Sequence, residues 1–380
     1  MSQKVVLSRI ISVDRARYNE TEYLTEALSP AVEALRANQP VGMPTETVYG
    51  LAANALKSEA VQQIYTVKNR PSDNPLIVHI CGAEMLSGLV DPAFLSQRDS
   101  QVWRRYQNVM DAFWPGPLTI LFPAAKEVPV VVTAGLKTVG IRFPSHPLSQ
   151  ALIHQAGFPL AAPSANLSGR PSPTTAHHVL TDLHGRIEWI VDGGSCAFGL
   201  ESTVLDLTIS PPVILRPGGI TLQQLRQVLP DVVAHHKDNK VDGVDESRPA
   251  TPGMKYKHYA PSAPVLLFAR RSPSLDAVEN SKALLPAIKA YVDAHPSSAI
   301  VRLTVCKQTR LEPREGYREI VLTEDGDLAT IAQRLFGALR EADEQHPDVI
   351  IAEATVEDAE GMAIMNRLSK AAGEVLHYFD

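Results

Sequence analysis

The sequence is poor in cysteine, with Cys81, Cys196 and Cys306 as its three residues of this type in a chain of 380. They lie far apart and form no CxxC pair, which argues against a zinc site or a redox pair. Such an odd, sparse count fits a reducing cytosol. The N-terminus has no apolar signal-peptide core, and no apolar run approaches the roughly 20 residues of a membrane helix. These absences predict a cytoplasmic protein.

Standard nucleotide-binding and catalytic motifs are also missing, since the chain has no GxGxxG, HExxH or GxSxG. The nearest approach to a P-loop, residues 194–199, is followed by Leu200-Glu201 instead of Lys-Ser. The lysine that would meet the phosphates is therefore absent. If the protein binds a nucleotide, it uses a non-standard site.

Positive charge is not in excess, because the net charge is -6 and the pI is about 6.1. The chain also lacks a basic stripe studded with aromatic residues, which is typical of single-stranded nucleic-acid binding. General RNA affinity is therefore not expected, and any anion site must be local. A non-catalytic RNA-binding or ribosome-associated factor is kept as the alternative to an enzyme.

Proline is abundant, with 29 residues, many in short phrases with Gly, Ser or Asn. These phrases interrupt short apolar runs that are typical of strands, so the first 225 residues or so are predicted to be α/β with many strands. Residues 95–113 are predicted to form one long helix. Ser29-Pro30 is either the start of a helix or a kink in a longer helix that begins at Thr21.

The second part of the chain alternates strands with helices, including predicted helices over 328–342 and 363–376. This alternation predicts a small parallel, Rossmann-like sheet. The polar, aperiodic stretch 231–248 before it is typical of a linker. We therefore predict an α/β fold with a catalytic domain at 1–230, a linker at 231–262 and a smaller α/β domain at 263–380.

Several loop phrases combine polar side chains in ways that suit a small-molecule pocket. PTETVYGL (44–51) and APSANLSG (162–169) offer hydroxyls, a carboxylate and close backbone approach, although capping and local hydrogen bonds explain such residues equally well. Lys68 and Arg70 stand at a helix end, where cations also complement the helix dipole. Arg142 and Arg216 end apolar strands, and their planar forks suit phosphate or carboxylate, with a structural acidic partner as the alternative.

Taken in order, these phrases resemble the signature of the YrdC/Sua5 family. The matching phrases are PTETVYGL, KNRP with NPLIVH, WPGPLT, VTAG, IRFP, APSANLSG, ESTV and LRPGG. The resemblance covers about residues 24–225, and PGMKYKHYAP at 252–261 with the second α/β domain resembles the long, two-domain Sua5 type. It implies a YrdC-like twisted open sheet followed by a Sua5 domain.

The resemblance implies an enzyme, a nucleotidyltransferase that makes threonylcarbamoyl-AMP and pyrophosphate from L-threonine, bicarbonate or CO₂, and ATP with Mg²⁺. Another complex would transfer the threonylcarbamoyl group to tRNA. For threonine, the family implies Thr45, His79, Arg142 and Ser202. For ATP, it implies Lys68, Ser72, Thr133, Ala162, Ser164, Asn166, Arg216 and Tyr259. No metal ligand from the protein is expected.

The residues themselves fit this chemistry, because a threonine amine can attack CO₂ or bicarbonate without a protein nucleophile. Positioning and charge stabilisation can then promote attack of the carbamate on the α-phosphate. The acceptor of the amine proton is left open between His79 and water. A carbamoyltransferase with a YrdC-like fold is a further alternative, but its usual zinc-finger-type cysteines are absent. The segment 252–261 is predicted to fold over the pocket as a lid, or else to act as a fixed spacer.

Overall fold

The structure is a computed structural model that describes residues 6–235, 251, 258–270 and 276–378. The chain divides into two compact units. The first comprises the described residues of Met1–Ser168, Pro173–Ala197 and Glu201–Lys255. The second comprises those of Gly169–Ser172, Phe198–Leu200 and Tyr256–Asp380. Each unit carries its own sheet, so the α/β fold class expected from the sequence is confirmed.

The described residues of the first unit form an eleven-stranded mixed sheet in the order β1-β8-β2-β3-β7-β4-β6-β5-β9-β10-β11. Its strands are β1 Arg9–Ser12, β2 Val41–Met43, β3 Gly50–Asn54, β4 Ile77–His79, β5 Leu118–Pro123, β6 Thr138–Arg142, β7 Leu160–Ala161, β8 Trp189–Asp192, β9 Thr203–Asp206, β10 Val213–Arg216 and β11 Val233–Ala234. Its helices are α1 Thr21–Arg36, α2 Ser58–Lys68, α3 Pro92–Leu95, α4 Gln101–Phe113, α5 Val130–Thr133, α6 Pro147–Ala156, α7 Ala176–Leu183 and α8 Leu222–Arg226.

Two large apolar clusters lie on opposite faces of this sheet, and a smaller one with Leu121, Val204 and Val213 lies on one face of β5, β9 and β10. Leu51 belongs to one large cluster and Ala52 to the other, and successive strand residues point to opposite faces. The first cluster includes Ile64 of α2 and Tyr106 of α4. The second includes Leu28 of α1 together with residues of α6. The two large clusters join the sheet to helices, whereas the smaller cluster contains no helix residue. The polar side chains near the strand ends are therefore set among apolar residues.

The structure decides two helix predictions in this unit. Pro30 lies inside α1, so the longer helix from Thr21 is the correct alternative. The single helix predicted over 95–113 is wrong, because α3 ends at Leu95 and α4 begins after Ser100. The Ser100 hydroxyl accepts a hydrogen bond from the backbone N–H of Trp103, which satisfies a free donor of the first turn of α4.

In its described residues, the second unit has a five-stranded sheet in the order β14-β13-β15-β12-β16, in which every pairing is parallel. Its strands are β12 Val265–Arg270, β13 Ile300–Cys306, β14 Tyr317–Thr323, β15 Val349–Glu353 and β16 Glu374–Tyr378, and its helices are α9 Ala277–Ala294, α10 Leu328–Asp343 and α11 Glu360–Ala371. The predicted small parallel sheet is confirmed. The helix predicted over 363–376 is wrong at its end, because 374–376 belong to β16.

The segment interpreted as a linker is described only in part. Val233–Ala234 forms the short strand β11, which pairs in parallel with β10. Most of the polar stretch, residues 236–250, lies outside the described residues, as do residues 252–257 of the predicted lid. None of the helices in the described part of the chain combines the length and apolar character needed to cross a bilayer.

Candidate functional site

A row of polar side chains crosses the middle of the first sheet. His79 at the end of β4 is in register with Arg142 at the end of β6, and Arg142 is in register with Thr119 of β5. Thr119 is paired in turn with Val204 of β9, and Val204 with Arg216 at the end of β10. Residues in register on neighbouring strands share one face of the sheet. The topology therefore gathers three of the predicted site residues in one row, although their positions span 138 residues of sequence, from 79 to 216.

Arg142 is the centre of this row and is almost fully buried, with 4% of its surface exposed. Its Nη1 donates to the Thr47 hydroxyl at 2.8 Å, and its Nε donates to the carbonyl of Gly116 at 3.3 Å. Its Nη2 lies 2.7 Å from Oε1 of Glu46. The acidic partner that the sequence left as an alternative is therefore present, and it comes from the PTETVYGL phrase.

The PTETVYGL loop between β2 and β3 is fixed by a directional chain of hydrogen bonds. The Thr45 hydroxyl lies 2.6 Å from the carbonyl of Val48 and 2.9 Å from the Thr47 hydroxyl. A hydroxyl carries one proton. If Thr45 donates to Val48, the Thr47 hydroxyl donates to Thr45 and is left to accept from Arg142. This chain connects the predicted threonine-binding residue Thr45 to the guanidinium through Thr47.

His79 is buried, and its Nδ1 has no hydrogen-bond partner among the described residues. Burial, with the neighbouring charge of Arg142 as a second cause, lowers the pKa of His79 to about 3. The imidazole is therefore neutral at physiological pH. A neutral ring with an unfilled nitrogen can bind a hydrogen-bonding ligand, but so low a pKa makes it a weak acceptor of a proton.

Ser202 connects the other end of the row. Its hydroxyl lies 2.8 Å from that of Thr119 and accepts from Arg216 Nη2 at 3.2 Å. Arg216 also donates to the Ser202 carbonyl from Nη2 at 2.9 Å. All three side chains are buried. The predicted threonine-binding Ser202 and the predicted ATP-binding Arg216 are thus direct neighbours.

Three of the predicted ATP-lining residues form a second group around the APSANLSG loop. Lys68, the last residue of α2, donates from Nζ to the backbone carbonyls of Ser164 and Asn166. The Ser164 hydroxyl donates to Asn166 Oδ1 at 2.5 Å. Asn69 ends α2 in the left-handed conformation with φ 51°, so the chain turns away directly after Lys68. The lysine therefore ties the loop to the helix.

The remaining predicted residues are more scattered. Ala162 follows β7, and its N–H donates to the carbonyl of Ile77 at 3.0 Å. Thr133, at the end of α5, is buried and lines a small cavity. Ser72 is exposed in the loop after α2. Tyr259 belongs to the second unit, where its ring centroid lies 5.2 Å from that of Phe336. The assignment of these residues to ATP stays a prediction.

The structure adds functional candidates that sequence reasoning did not assign, namely Glu46, Thr47 and Thr119. All three stood inside phrases already noted, PTETVYGL and WPGPLT, so a signal for them was present. Their pairing with Arg142 and Ser202 depends on strand register, which the sequence does not give. In the described part of the chain, no group of three or more His, Cys, Asp or Glu residues could hold a metal ion.

Two family models match the chain in succession. The Sua5/YciO/YrdC model, described as telomere recombination, matches residues 33–218. A model described as the C-terminal domain of threonylcarbamoyl-AMP synthase matches residues 220–373. The two matches together cover most of the chain.

Similar full-length proteins agree with these models. A threonylcarbamoyl-AMP synthase of Bacillus subtilis is 44% identical over 91% of this chain and 93% of its own length. One of Schizosaccharomyces pombe is 41% identical, over 92% of this chain and 89% of its own. The crystal structure of Pyrococcus abyssi Sua5 complexed with L-threonine is 37% identical, with a TM-score of 0.81 over 98% of this chain and all of that one. The chain therefore belongs to the Sua5/YrdC family of threonylcarbamoyl-AMP synthases, in its long form with a Sua5-type C-terminal domain.

Proposed function

We propose that this chain is a nucleotidyltransferase that condenses L-threonine, bicarbonate or CO₂, and ATP into threonylcarbamoyl-AMP and pyrophosphate. The observation that carries the proposal is the buried row of His79, Arg142 and Thr119, which Ser202 connects to Arg216 by hydrogen bonds. It offers two guanidinium groups for anionic substrates and no nucleophile–base pair. Such a row suits a reaction in which the protein positions reactants and stabilises charge.

Arg142 is proposed to bind the carboxylate of threonine, while Thr45 and His79 surround the rest of the amino acid. A planar guanidinium suits a carboxylate because it can donate two parallel hydrogen bonds. His79 is kept neutral by its low pKa, so this residue adds a hydrogen-bonding atom without adding a charge. Water then becomes the better of the two candidate acceptors for the amine proton, since a base with a pKa near 3 holds a proton weakly.

Arg216 and the group around Lys68, Ser164 and Asn166 are proposed to bind ATP. Arg216 donates to the hydroxyl of Ser202, which is itself proposed to bind threonine, so the two proposed substrate sites adjoin, as transfer between the substrates requires. Lys68 donates to backbone carbonyls, and so it shapes the APSANLSG loop in addition to supplying positive charge. The charge on these residues would stabilise the pentavalent α-phosphate and the departing pyrophosphate.

Mg²⁺ is proposed to enter with ATP, where it would neutralise charge on the triphosphate. It commonly keeps several waters and binds substrate phosphates with few protein ligands. The threonylcarbamoyl group is proposed to pass to a separate transferase complex that modifies tRNA. The net charge of -6 favours weak or no direct RNA binding by this chain. Because the product serves tRNA, we expect the protein to act in the cytoplasm.

The test is to incubate the protein with ATP, threonine and labelled bicarbonate and to detect the adenylate by mass spectrometry. We expect pyrophosphate and an AMP-linked product that carries the label, and both must require threonine and bicarbonate. Release of ADP and phosphate as the main products would contradict the proposal. RNA binding without turnover would favour the non-catalytic alternative.

A further inference from the structure

Glu46 is a buried carboxylate whose oxygens are left unfilled. It lies in the loop between β2 and β3 with 5% of its surface exposed. Neither Oε1 nor Oε2 receives a hydrogen bond from a described residue, and the same holds for Nη2 of Arg142. The 2.7 Å contact between Oε1 and Nη2 is therefore an ion pair in which the N–H does not point at the oxygen.

Such a pair is a poor way to stabilise a fold. Buried polar atoms are nearly always hydrogen-bonded, and an exception calls for an explanation. A buried ion pair offsets its desolvation only when its geometry is good and its remaining lone pairs and protons are satisfied. Glu46 and Arg142 meet neither condition with the described residues. The Glu46 oxygens and Arg142 Nη2 instead suit a ligand that supplies both a hydrogen-bond donor and an acceptor.

An α-amino acid is a ligand of this kind. Standard bond lengths place its ammonium nitrogen about 2.7 Å from the nearer carboxylate oxygen, so its two charges are adjacent. Glu46 and Arg142 also present adjacent charges, negative for the ammonium group and positive for the carboxylate. We propose that Glu46 binds the ammonium group of the amino-acid substrate while Arg142 binds its carboxylate. This inference rests on the proposed function and names the residue that orients the amine for attack.

Electrostatics gives Glu46 a role in selection as well. A ligand with a carboxylate but no ammonium meets the like charge of Glu46 as it approaches Arg142, which costs binding free energy. A zwitterion compensates that charge with its own. The site therefore discriminates between an amino acid and the corresponding acid without the amine, because that acid leaves the charge of Glu46 uncompensated.

The alternative role for Glu46 is to hold Arg142 in place. The two roles differ in their effect on a ligand that lacks the amine. If Glu46 only orients Arg142, its loss weakens every ligand with a carboxylate to the same degree. If Glu46 binds the ammonium, its loss weakens the amino acid alone, and the des-amino analogue binds equally well or more tightly.

The experiment measures calorimetric binding of L-threonine and of 3-hydroxybutanoate, its des-amino analogue, to the full chain. The wild type is compared with Glu46→Gln, which keeps the shape of the side chain and removes its charge. Glu33→Gln is the matched control, since Glu33 is exposed on α1. We expect Glu46→Gln to weaken threonine binding by about ten- to a hundredfold, as for loss of a charge-assisted hydrogen bond. Binding of the analogue should not weaken, and the control should match the wild type.

Equal losses for both ligands, or no loss for threonine, would overturn the inference. If Glu46→Gln does not fold, the wild type alone decides, because an analogue that binds as tightly as threonine shows that no residue reads the ammonium. The adenylate assay separates this from failure of the proposed function. A wild type that makes the adenylate but binds 3-hydroxybutanoate as tightly as threonine refutes the role of Glu46 alone.

Discussion

Each unit of the protein buries an arginine against glutamate, and the two clusters differ in how completely they are hydrogen-bonded. In the first unit, Arg142 touches Glu46 without an aligned hydrogen bond. In the second, Arg302 on β13 is fully buried, and its Nε donates to Glu353 Oε1 at 2.7 Å. Its Nη1 donates at 3.0 Å to Glu319.

Neighbouring side chains complete the second cluster. The hydroxyl of Ser281 donates to Glu353 Oε2, that of Tyr317 donates to Glu319 at 2.6 Å, and Arg302 Nη1 also donates to the carbonyl of Thr309 at 2.9 Å. Arg302 Nη2, like Nη2 of Arg142, has no aligned hydrogen bond to a described residue, although it lies 2.6 Å from Glu353 Oε1. The clusters differ in their carboxylates, because the oxygens of Glu353 and Glu319 all accept hydrogen bonds and those of Glu46 accept none from the described residues. A buried carboxylate whose oxygens are hydrogen-bonded rigidifies a fold, whereas one whose oxygens are not is costly without a ligand. The comparison indicates that the carboxylates of the second cluster stabilise structure, whereas Glu46 in the first has oxygens that no described residue fills.

The largest expected effect is on stability and comes from breaking the cluster around Arg302. Arg302→Met leaves the fully buried Glu353 without its cation, while Glu319 keeps its contact with Arg310. The loss should lower the free energy of unfolding by about 3–5 kcal/mol. Circular dichroism during urea denaturation would measure the loss. Tryptophan fluorescence would localise it, because Trp103, Trp114 and Trp189 all lie in the first unit.

The control is Arg314→Ala, which removes a half-exposed ion pair with Asp293 and should cost no more than about 1 kcal/mol. A pH series adds a second check. Burial raises the pKa of Glu353, and Arg302 opposes that rise. In Arg302→Met the pKa therefore rises further, so stability is retained at low pH and lost as pH increases. A loss that is equal at pH 5 and pH 8 would contradict this account.

The unfilled cluster should instead respond in catalysis. Arg142→Ala should reduce threonine use and Arg216→Ala should reduce ATP use, each by about tenfold to a hundredfold or more, because a charge-assisted hydrogen bond contributes about 1.5–3 kcal/mol. Calorimetry with each substrate separately would measure both effects. Because Arg142 has one acidic neighbour and Arg302 has two, we expect Arg142→Ala to destabilise the fold less than Arg302→Met.

Normal binding of both substrates by both variants would show that the two arginines are structural. Loss of threonine binding in Arg216→Ala alone, with ATP binding intact, would reverse their assignments. The contact between Arg216 and Ser202 makes a smaller effect on threonine expected in that variant.

Sequence reasoning predicted the fold more fully than it predicted the site. Regular periodicity placed α10 and the parallel second sheet, because one apolar face in a helix repeats at a fixed spacing. It missed the break at residues 96–100 and the strand Glu374–Tyr378. Both segments are too short to show a clear apolar repeat, and their structure depends on a helix cap in one case and on pairing at a sheet edge in the other. Arg142 and Arg216 were found because a charge at the end of an apolar strand is unusual.

Glu46 and Thr119 were not assigned roles, although Glu46 follows the assigned Thr45 directly and Thr119 stands in the WPGPLT phrase. Their roles depend on register: Thr119 faces Arg142 across one strand pair, and Glu46 reaches it from a loop 96 positions earlier, at 46 against 142. A sequence shows that a carboxylate is present but not which cation it meets. The comparison of the two clusters depends on which carboxylate oxygens accept hydrogen bonds. This is visible only in the three-dimensional structure.

A smaller effect is expected from His79, through pH. Its pKa is about 3 in the folded chain, against about 6.5 when unfolded. The unfolded state therefore binds the extra proton, and stability falls as pH drops below about 6.5, by at most about 1.4 kcal/mol per pH unit. His79→Gln should flatten this dependence between pH 4.5 and 6.5, as followed by tryptophan fluorescence in urea.

The matched control for that series is His154→Gln, since His154 is exposed on α6 of the same unit. It should keep the slope of the wild type. If His79→Gln keeps that slope too, the imidazole is protonated in the folded protein, and its role as a neutral hydrogen-bonding group beside Arg142 is wrong.

The smallest expected effect concerns Tyr259, which the family resemblance assigns to ATP. Its ring is buried against Phe336 and lies 5.7 Å from the guanidinium carbon of Arg367. Its backbone adopts φ 65°, a left-handed conformation that is rare for a bulky residue and costs about 1–3 kcal/mol. Strained residues of this kind cluster at functional sites, so the conformation supports a role beyond packing.

Tyr259→Phe separates the two roles, because it keeps the ring and its contacts in the second unit and removes the hydroxyl. If that hydroxyl binds the nucleotide, ATP affinity should fall by about two- to tenfold, as for a neutral hydrogen bond of about 0.5–1.5 kcal/mol, with the unfolding free energy nearly unchanged. Tyr291→Phe is the control in the same unit, where Tyr291 stacks on His295. Equal ATP affinity in all three proteins would leave Tyr259 with a packing role. Tyr259 would then, like the Arg302 cluster, stabilise the second unit without contributing to ATP binding.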